Sequence, residues 1–205
     1  MYAVDKSAHS RAKRLFDITA AVLAIAVMLP IMCIIALAIK LGSRGPVIFH
    51  QERCGLDGRP FTMYKFRTMV EGAEHEGLGY EVARDDYRIT RIGKILRSTS
   101  LDELPQLMNV IKGDMSLMGP RPMIPRQIAR LDSRQILRQK ARPGISGWAQ
   151  VNGRNALDWS ERIQLDIWYV ENWNLLLDLM ILWKTFFTLM HKDELYGRDG
   201  VNKTI

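Results

Sequence analysis

The chain has 205 residues and a formal net charge of +7 at pH 7, with 29 lysines and arginines against 22 aspartates and glutamates. This length fits one domain, or one domain with an appendage, and is enough to bury a sizeable core. The positive charge predicts an anionic partner, which could be nucleic acid, a phosphorylated small molecule or a lipid surface. Cys33 and Cys54 lack the spacing of a metal site, and two cysteines are too few for a disulfide-rich scaffold. The chain therefore fits a reducing, cytosol-facing compartment.

The first predicted element is an apolar segment at residues 18–39, 22 positions of which only Thr19 is clearly polar. A straight helix of this length crosses the roughly 30 Å hydrocarbon core of a bilayer, and the run is too long for a signal peptide. Pro30 divides it into stretches of 12 and 9 residues, each too short to cross alone. Basic residues flank the segment on both sides: Arg11, Lys13, Arg14, Lys40, Arg44, Arg53 and Arg59.

Two arrangements of this segment fit the proline and the flanking charges. If positive residues stay on the cytoplasmic side, the segment is a helix-break-helix hairpin that enters and leaves by one leaflet. A kinked helix that spans the membrane fits equally well, because proline kinks are common in spanning helices.

A β-hairpin is predicted next, with strands at residues 47–49 and 61–66 around a glycine-containing turn at residues 54–58. Alternation places Lys65 and Arg67 on one face, and we take both as candidate substrate-binding residues, although a solvated face has the same pattern. Residues 71–86 carry three glycines and six acidic residues with little apolar periodicity, which predicts a mobile loop that could form a lid.

Two helices with a carboxylate pair between them are predicted in the middle of the chain. The first has apolar residues at positions 89, 92, 95 and 96 beside a basic face. That basic face consists of Arg88, Arg91, Lys94 and Arg97. The second has apolar residues at positions 104, 107, 108 and 111, and Pro105 must lie in its first turn, so Asp102 is the expected N-cap. A capping box of Ser100 and Glu103 is the less favoured register.

This acidic pair has an ordinary explanation as well as a chemical one. The helix dipole favours an Asp cap and a first-turn Glu in any protein, so only the surrounding sequence can give Asp102 and Glu103 a chemical role.

Arginines dominate the chain after the carboxylate pair. Arg121 lies between Pro120 and Pro122, and such rigidity suits an arginine that meets a phosphate in a fixed geometry, although a simple turn has the same sequence. An arginine then recurs at every fourth position from residue 126 to residue 142, which predicts a basic stripe against anionic lipid headgroups.

The last third of the chain predicts a loop followed by helices. Residues 143–155 form a glycine-rich loop able to clamp a nucleotide or a sugar, without a Walker or dinucleotide fingerprint. Residues 159–190 are apolar but too charged to span a membrane, which predicts helices at the interface or packed on the core.

A carboxylate pair among arginines points to phosphate chemistry assisted by a metal. Arginines and helix N-termini bind phosphate, so two carboxylates would repel the substrate unless a divalent cation bridged them, and Mg²⁺ is the natural candidate. One carboxylate can hold the metal while its neighbour attacks phosphorus. The sequence therefore predicts a membrane-anchored phosphotransferase.

Six motifs follow the apolar segment in a fixed order. They are Tyr64-Lys65-Phe66-Arg67-Thr68-Met69, Thr99-Ser100-Leu101-Asp102-Glu103-Leu104-Pro105-Gln106, Gly113-Asp114-Met115-Ser116, Gly119-Pro120-Arg121-Pro122, Arg142-Pro143-Gly144 and Gln150-Val151-Asn152-Gly153-Arg154. Together with the anchor they resemble the bacterial sugar transferases, or monotopic phosphoglycosyl transferases, over nearly the whole chain.

The resemblance implies an enzyme that transfers a sugar phosphate from a UDP-sugar to a polyprenyl phosphate such as undecaprenyl phosphate. UMP is released, and the product opens a glycan assembly pathway. The resemblance further implies that Asp102 attacks the β-phosphorus to form a phosphosugar-aspartyl intermediate, that Glu103 binds Mg²⁺, and that lipid phosphate then displaces the sugar phosphate. By the same likeness five other residues belong to the site: Lys65, Arg97, Arg121, Arg154 and Asp178.

The expected fold is α+β and mostly helical, on the cytoplasmic face of a bacterial inner membrane. Residues 1–44 form the anchor, residues 45–190 form a small catalytic domain with the β-hairpin and amphipathic interfacial helices, and residues 191–205 form a polar tail. The resemblance favours the re-entrant, monotopic hairpin broken at Pro30. The family often breaks this helix at Ser-Pro, whereas Leu29 precedes the proline here, so no serine hydroxyl can bond the freed carbonyl.

Two other functions stay open at the level of sequence. A membrane-bound transferase could work without a covalent intermediate, with Asp102 or Glu103 as general base. A non-enzymatic membrane adaptor or nucleic-acid binder could use the basic surface alone, but rigid arginines and paired carboxylates argue against it, and we expect no nucleic-acid partner.

Overall fold

The structure is a computed structural model that describes residues 10–77, 79, 82–83, 85–153, 156–190 and 201–202. The fold is α+β and mostly helical, as predicted. The helices are α1 (Arg11–Gly42), α2 (Arg91–Thr99), α3 (Gln106–Lys112), α4 (Pro125–Ile128), α5 (Trp148–Val151), α6 (Trp159–Asn172) and α7 (Leu175–Met190). The strands are β1 (Ile48–Cys54), β2 (Pro60–Phe66), β3 (Val82–Ala83), β4 (Ser116–Met118), β5 (Gly144–Ser146) and β6 (Val201–Asn202).

Helix α1 is continuous across Pro30, so the break predicted there is not a break in secondary structure. Ser10 caps the N-terminus of the helix, and its hydroxyl accepts a hydrogen bond from the Lys13 amide at 3.2 Å. Proline removes one backbone donor, and both halves of α1 pack on the rest of the protein, which keeps the helix intact on either side. The re-entrant arrangement in a membrane stays a prediction.

One face of α1 packs on the rest of the protein. Ala21 is fully buried in a cluster with Met63 and Val110, and Ile39 is buried against Phe66 and Leu96. The opposite face exposes large apolar side chains: Leu15, Val22, Leu23, Val27, Leu29, Ile31, Ile34, Leu37 and Leu41. By length and composition, α1 is the helix within the described ranges that could cross a membrane.

Two of the basic residues before the apolar segment are used inside the protein. Lys13 is buried and pairs with Asp178 at 2.6 Å, while Arg14 donates to the carbonyls of Val110 and Ile111. These charges therefore give less support to the positive-inside argument than the sequence suggests.

The predicted β-hairpin is confirmed, with a first strand that extends to Cys54. Strands β1 and β2 are antiparallel, from the Ile48–Phe66 pair to the Cys54–Pro60 pair. Helix α2 packs where β2 ends, because Gly93 lets its backbone approach closely. A Cβ atom at Gly93 would lie 1.9 Å from the carbonyl oxygen of Thr68.

The predicted helical region at residues 159–190 forms two helices. Helix α6 begins with a capping box of Asp158 and Glu161. Tyr169 and Ile181 pack with Met118 in a buried cluster, so both helices contribute to the core. The outer side of α7 exposes apolar residues: Leu176, Leu179, Met180, Leu182, Trp183, Phe186 and Phe187.

The basic stripe predicted at residues 126–142 is wrong. Helix α4 is one turn long, and the chain then turns at Asp132, whose carboxylate accepts from the amides of Arg134 and Gln135 at 2.8 Å. A 3₁₀ segment follows at Gln135–Lys140 and buries Arg138. The arginines therefore do not share one helical face.

Candidate active site

A cavity of about 850 Å³ lies between the hairpin, the segment around Arg121 and helices α6 and α7. Asp102 and Glu103 line it together with Lys65, Arg97 and Arg121. Arg67 also lines the cavity, which therefore brings both acidic residues and four of the predicted basic residues together.

Asp102 and Glu103 lie in a 3₁₀ turn, Leu101–Glu103, between α2 and α3. Ser100 ends α2 in the left-handed conformation with φ of 56°, and its carbonyl accepts from the Glu103 amide at 3.2 Å. Helix α3 begins only at Gln106, and Asp102 makes no capping bond to it. The predicted N-cap role of Asp102 is therefore wrong, because an extra turn separates it from the free amides of α3.

Glu103 is held as an anion by two cations. Its Oε1 atom accepts from Lys65 Nζ at 2.8 Å and from an Arg121 guanidinium nitrogen at 3.1 Å. Burial would raise the pKa of Glu103, but the charges and hydrogen bonds of Lys65 and Arg121 outweigh it and lower the pKa to about 2. Glu103 is therefore ionised at every physiological pH.

Asp102 has the opposite environment. Its residue is 9% exposed, and no group in the described parts of the chain donates a hydrogen bond to its carboxylate. Burial raises the pKa of Asp102, Glu103 raises it further, and the charges of Lys65, Arg97 and Arg121 oppose this without cancelling it. The result is a more basic carboxylate with free lone pairs that faces a cavity rich in cations.

Arg121 reaches the site from the end of β4, where this strand packs closely against the start of β5. These two strands are parallel, and a Cβ atom at Gly119 would lie 2.2 Å from the carbonyl oxygen of Arg142. Only glycine allows this close approach of the two backbones, and the approach sets the direction of the chain through Pro120 and Arg121 after β4. The Arg121 side chain is 53% exposed, so one side of its guanidinium contacts Glu103 while another remains open to the cavity.

Arg67, predicted to bind substrate, has its guanidinium on the end of α1 instead. It donates to the carbonyl oxygen and hydroxyl of Ser43 at 3.0 and 2.9 Å and to the Arg44 carbonyl. The residue is buried and lines the cavity wall, but it ties the hairpin to α1.

Asp178, another predicted site residue, lies outside the cavity lining. It is buried and accepts from Lys13 at 2.6 Å, from the Tyr169 hydroxyl at 2.8 Å and from the Trp173 indole at 3.0 Å. This network joins α1, α6 and α7. Arg154, the remaining predicted residue, lies outside the described residues.

Sequence reasoning missed two buried ion pairs, one of which lines the cavity. Arg138 pairs with Asp166, and both line the cavity. Arg88, predicted on a basic surface, is 1% exposed and pairs with Asp86 at 2.7 Å. Each pair becomes visible only in the folded chain, and the spacing of arginines gave no signal of it.

The fold and site define a class of protein, one with a long apolar helix and a cavity that holds a carboxylate pair and several cations. The sequence model for bacterial sugar transferases matches residues 8–192. The chain belongs to the bacterial sugar transferase family.

Three relatives illustrate the range of this family. The chain is 46% identical over 170 residues to the uncharacterized sugar transferase EpsL of Bacillus subtilis, covering 83% of each chain. It is 41% identical over 199 residues to an undecaprenyl-phosphate glucose phosphotransferase of Komagataeibacter xylinus, covering 92% of this chain and 36% of the relative. It is 45% identical over 185 residues to a UDP-N-acetylgalactosamine-undecaprenyl-phosphate N-acetylgalactosaminephosphotransferase of Aeromonas hydrophila, covering 87% of this chain and 43% of the relative. The chain thus spans less than half the length of these last two relatives.

Proposed function

We propose that the chain transfers a sugar 1-phosphate from a UDP-sugar to undecaprenyl phosphate and releases UMP, as the first membrane step of exopolysaccharide or related glycoconjugate assembly. Family membership and the names of the relatives support the substrate classes. The observation that carries the proposal is the contrast within the acidic pair. Asp102 is buried without a hydrogen-bond donor in the described structure, while Glu103 is paired with Lys65 and Arg121.

Asp102 acts as the nucleophile in the proposed reaction. Its carboxylate oxygen bonds to the β-phosphorus of the UDP-sugar, the bond from that phosphorus to the bridging oxygen breaks, and UMP leaves with the electron pair. In the second step a phosphate oxygen of undecaprenyl phosphate bonds to the same phosphorus and expels the Asp102 carboxylate. A carboxylate with a raised pKa and no hydrogen bonds suits this role, because no hydrogen bond to it has to break before it attacks phosphorus.

Lys65, Arg97 and Arg121 supply the positive charge that brings the diphosphate to Asp102. All three line the cavity and carry charges that act on Asp102. Arginine can bind two phosphate oxygens at once, and the open side of Arg121 is available for this. These cations stabilise the charge that develops on the phosphoryl oxygens during transfer.

We propose that Mg²⁺ binds at Glu103 together with the substrate. The described residues contain no group of three or more side chains able to hold a metal alone. Mg²⁺ is commonly held by one or two carboxylates plus substrate phosphates and water, and Glu103 Oε2 and both Asp102 oxygens accept no described hydrogen bond. The bound ion would offset the repulsion between the carboxylates and the diphosphate.

The proposed location is the cytoplasmic face of a bacterial inner membrane, with α1 as a re-entrant, monotopic anchor. The exposed apolar faces of α1 and α7 support contact with lipid. Exposed basic residues, among them Arg11, Lys40 and Arg44 at the two ends of α1, support contact with anionic headgroups. Labelling single cysteines before Arg11 and after Gly42 from the outside of intact cells tests this. Neither should react, and a reaction at one of them alone would show that α1 spans the membrane.

The central test measures UMP release from a panel of UDP-sugars, including UDP-glucose and UDP-N-acetylgalactosamine, with undecaprenyl phosphate present. We expect UMP from at least one sugar, loss of activity in EDTA and recovery with added Mg²⁺. Absence of UMP across the panel would contradict the proposed function. Full activity in EDTA would contradict only the metal.

The covalent step has its own test. Incubation with a UDP-sugar labelled in the β-phosphate, without lipid acceptor, should leave label on the wild-type protein and none on Asp102→Asn. An active wild type that never retains label would favour Asp102 as a general base instead. Full activity in Asp102→Asn would exclude both mechanisms.

A further inference from the structure

Two prolines flank Arg121, so the segment 120–122 has a single amide hydrogen, and its described backbone hydrogen bonds are made through carbonyl groups. Pro120 and Pro122 lack amide hydrogens, so they cannot donate to a neighbouring strand or turn. All three carbonyls of this segment accept a hydrogen bond. The Gly144 amide donates to the Pro120 carbonyl at 2.9 Å. Arg138 donates to the Arg121 carbonyl at 2.9 Å, and Arg53 donates to the Pro122 carbonyl at 3.1 Å.

The donor to the Arg121 carbonyl is itself held by a buried ion pair. Arg138 Nε donates to Asp166 Oδ2 at 3.0 Å, and a terminal guanidinium nitrogen donates both to the same oxygen and to Arg121. The side chains of Arg138 and Asp166 are 4% and 5% exposed. Arg138 lies in the 3₁₀ segment Gln135–Lys140 and Asp166 on α6, so the pair fixes the segment around Arg121 relative to two other elements.

Stability alone gives a weak reason for this ion pair. Burial raises the pKa of Asp166 despite the opposing charge of Arg138, so the carboxylate remains costly to bury. Buried ion pairs can often be replaced by apolar residues without loss of stability. The hydrogen bond from Arg138 to the Arg121 carbonyl gives the pair a second contribution, to the position of the backbone that carries Arg121.

We propose that Arg138 and Asp166 form a positioning pair for Arg121. The half-exposed Arg121 side chain has little packing around it, so its backbone and its bond to Glu103 determine where the guanidinium lies. Within the proposed function, loss of the pair would leave Arg121 present but misplaced, and a misplacement of about 1 Å can cost about 100-fold in rate.

The first arm of the test removes the pair without leaving a buried charge. Single replacements leave an uncompensated ion and are expected to destabilise the fold, so the main variant is Arg138→Met with Asp166→Leu. We expect a thermal midpoint close to wild type and kcat for UMP release reduced about 10- to 100-fold, with KM for the UDP-sugar changed much less. A stable double variant with wild-type kcat would overturn the proposal.

The second arm asks whether the pair acts through Arg121. In an Arg121→Met background, adding the double replacement should cause no further loss of kcat, because the side chain that the pair positions no longer carries a charge. Losses that multiply would show that Arg138 and Asp166 act independently, for example by direct contact with substrate, and would overturn the proposal. The exposed Lys140–Asp57 pair provides the control, since Lys140→Met with Asp57→Asn should leave kcat unchanged.

A third readout does not depend on catalysis. Hydrogen exchange of a peptide covering residues 118–124 should be faster in the Arg138→Met, Asp166→Leu variant than in wild type, and unchanged in the control. Unchanged exchange in the double variant would overturn the positioning role even if the protein proved to catalyse another reaction. A wild type that releases no UMP would contradict the proposed function, while exchange would still decide on the pair.

Discussion

Replacing the two adjacent carboxylates by their amides should change stability in opposite directions. The site of Glu103 favours its ionised form, whereas burial and the neighbouring Glu103 charge oppose ionisation of Asp102. We therefore expect Glu103→Gln to unfold more easily than wild type at pH 7 and Asp102→Asn to unfold less easily. Both variants should lose UMP release, because each removes a carboxylate with a proposed role in the reaction. At Asp102 the change that stabilises the fold is therefore expected to abolish function.

The size of the Glu103 effect follows from its pKa. The pKa falls from 4.5 to about 2 on folding, and one unit corresponds to about 1.4 kcal/mol, so the charge contributes about 3 kcal/mol at pH 7. That contribution is complete above pH 4.5 and is lost as the pH falls towards 2. Asp102 has the opposite sign, because its raised pKa means that its ionised form destabilises the fold and its protonated form does not.

Thermal unfolding of the purified protein in detergent, followed by circular dichroism from pH 4 to pH 8, measures both effects. The advantage of Asp102→Asn over wild type should be largest at high pH and should shrink on acidification, as wild-type Asp102 becomes protonated. The loss in Glu103→Gln should stay nearly constant down to about pH 5. Equal destabilisation by both amides, with the same pH dependence, would refute the assignment of opposite environments.

Three further changes test other parts of the site. Lys65→Met removes the largest opposing charge from both carboxylates, so their pKa values should rise and the acid limb of kcat/KM should shift upward by about one to three pH units. Arg88→Met leaves Asp86 buried and unpaired and should cost about 3 to 5 kcal/mol in thermal or denaturant unfolding. Asp178→Asn leaves Lys13 buried beside a neutral amide and should be similarly destabilising, with unfolding of Lys13→Met, Asp178→Leu closer to wild type.

Local patterns were enough to predict the elements whose stability is local. The hairpin followed from two apolar runs around a glycine-containing turn, and α2 followed from the apolar spacing of residues 89, 92, 95 and 96. The sequence also selected Lys65 and Arg121 as companions of the acidic pair, and the structure brings both within hydrogen-bond distance of Glu103.

Long-range pairing accounts for what the sequence could not predict. Arg138 and Asp166 are 28 residues apart, and Lys13 and Asp178 are 165 residues apart, so neither periodicity nor spacing relates them. Arginines at every fourth position share one exposed face only if they lie on one continuous helix. Asp132 ends that regularity by bonding two following amides, which turns Arg138 inward.

The failed prediction of a helix cap at Asp102 has a direct bearing on the chemistry. A capping carboxylate accepts amide hydrogen bonds, which stabilise its charge, lower its pKa and make it a poorer nucleophile. The 3₁₀ turn at Leu101–Glu103 prevents this, because successive side chains in such a turn point about 120° apart. Glu103 can then meet Lys65 and Arg121 while Asp102 remains without a donor among the described groups, so one short turn produces two adjacent carboxylates of different basicity.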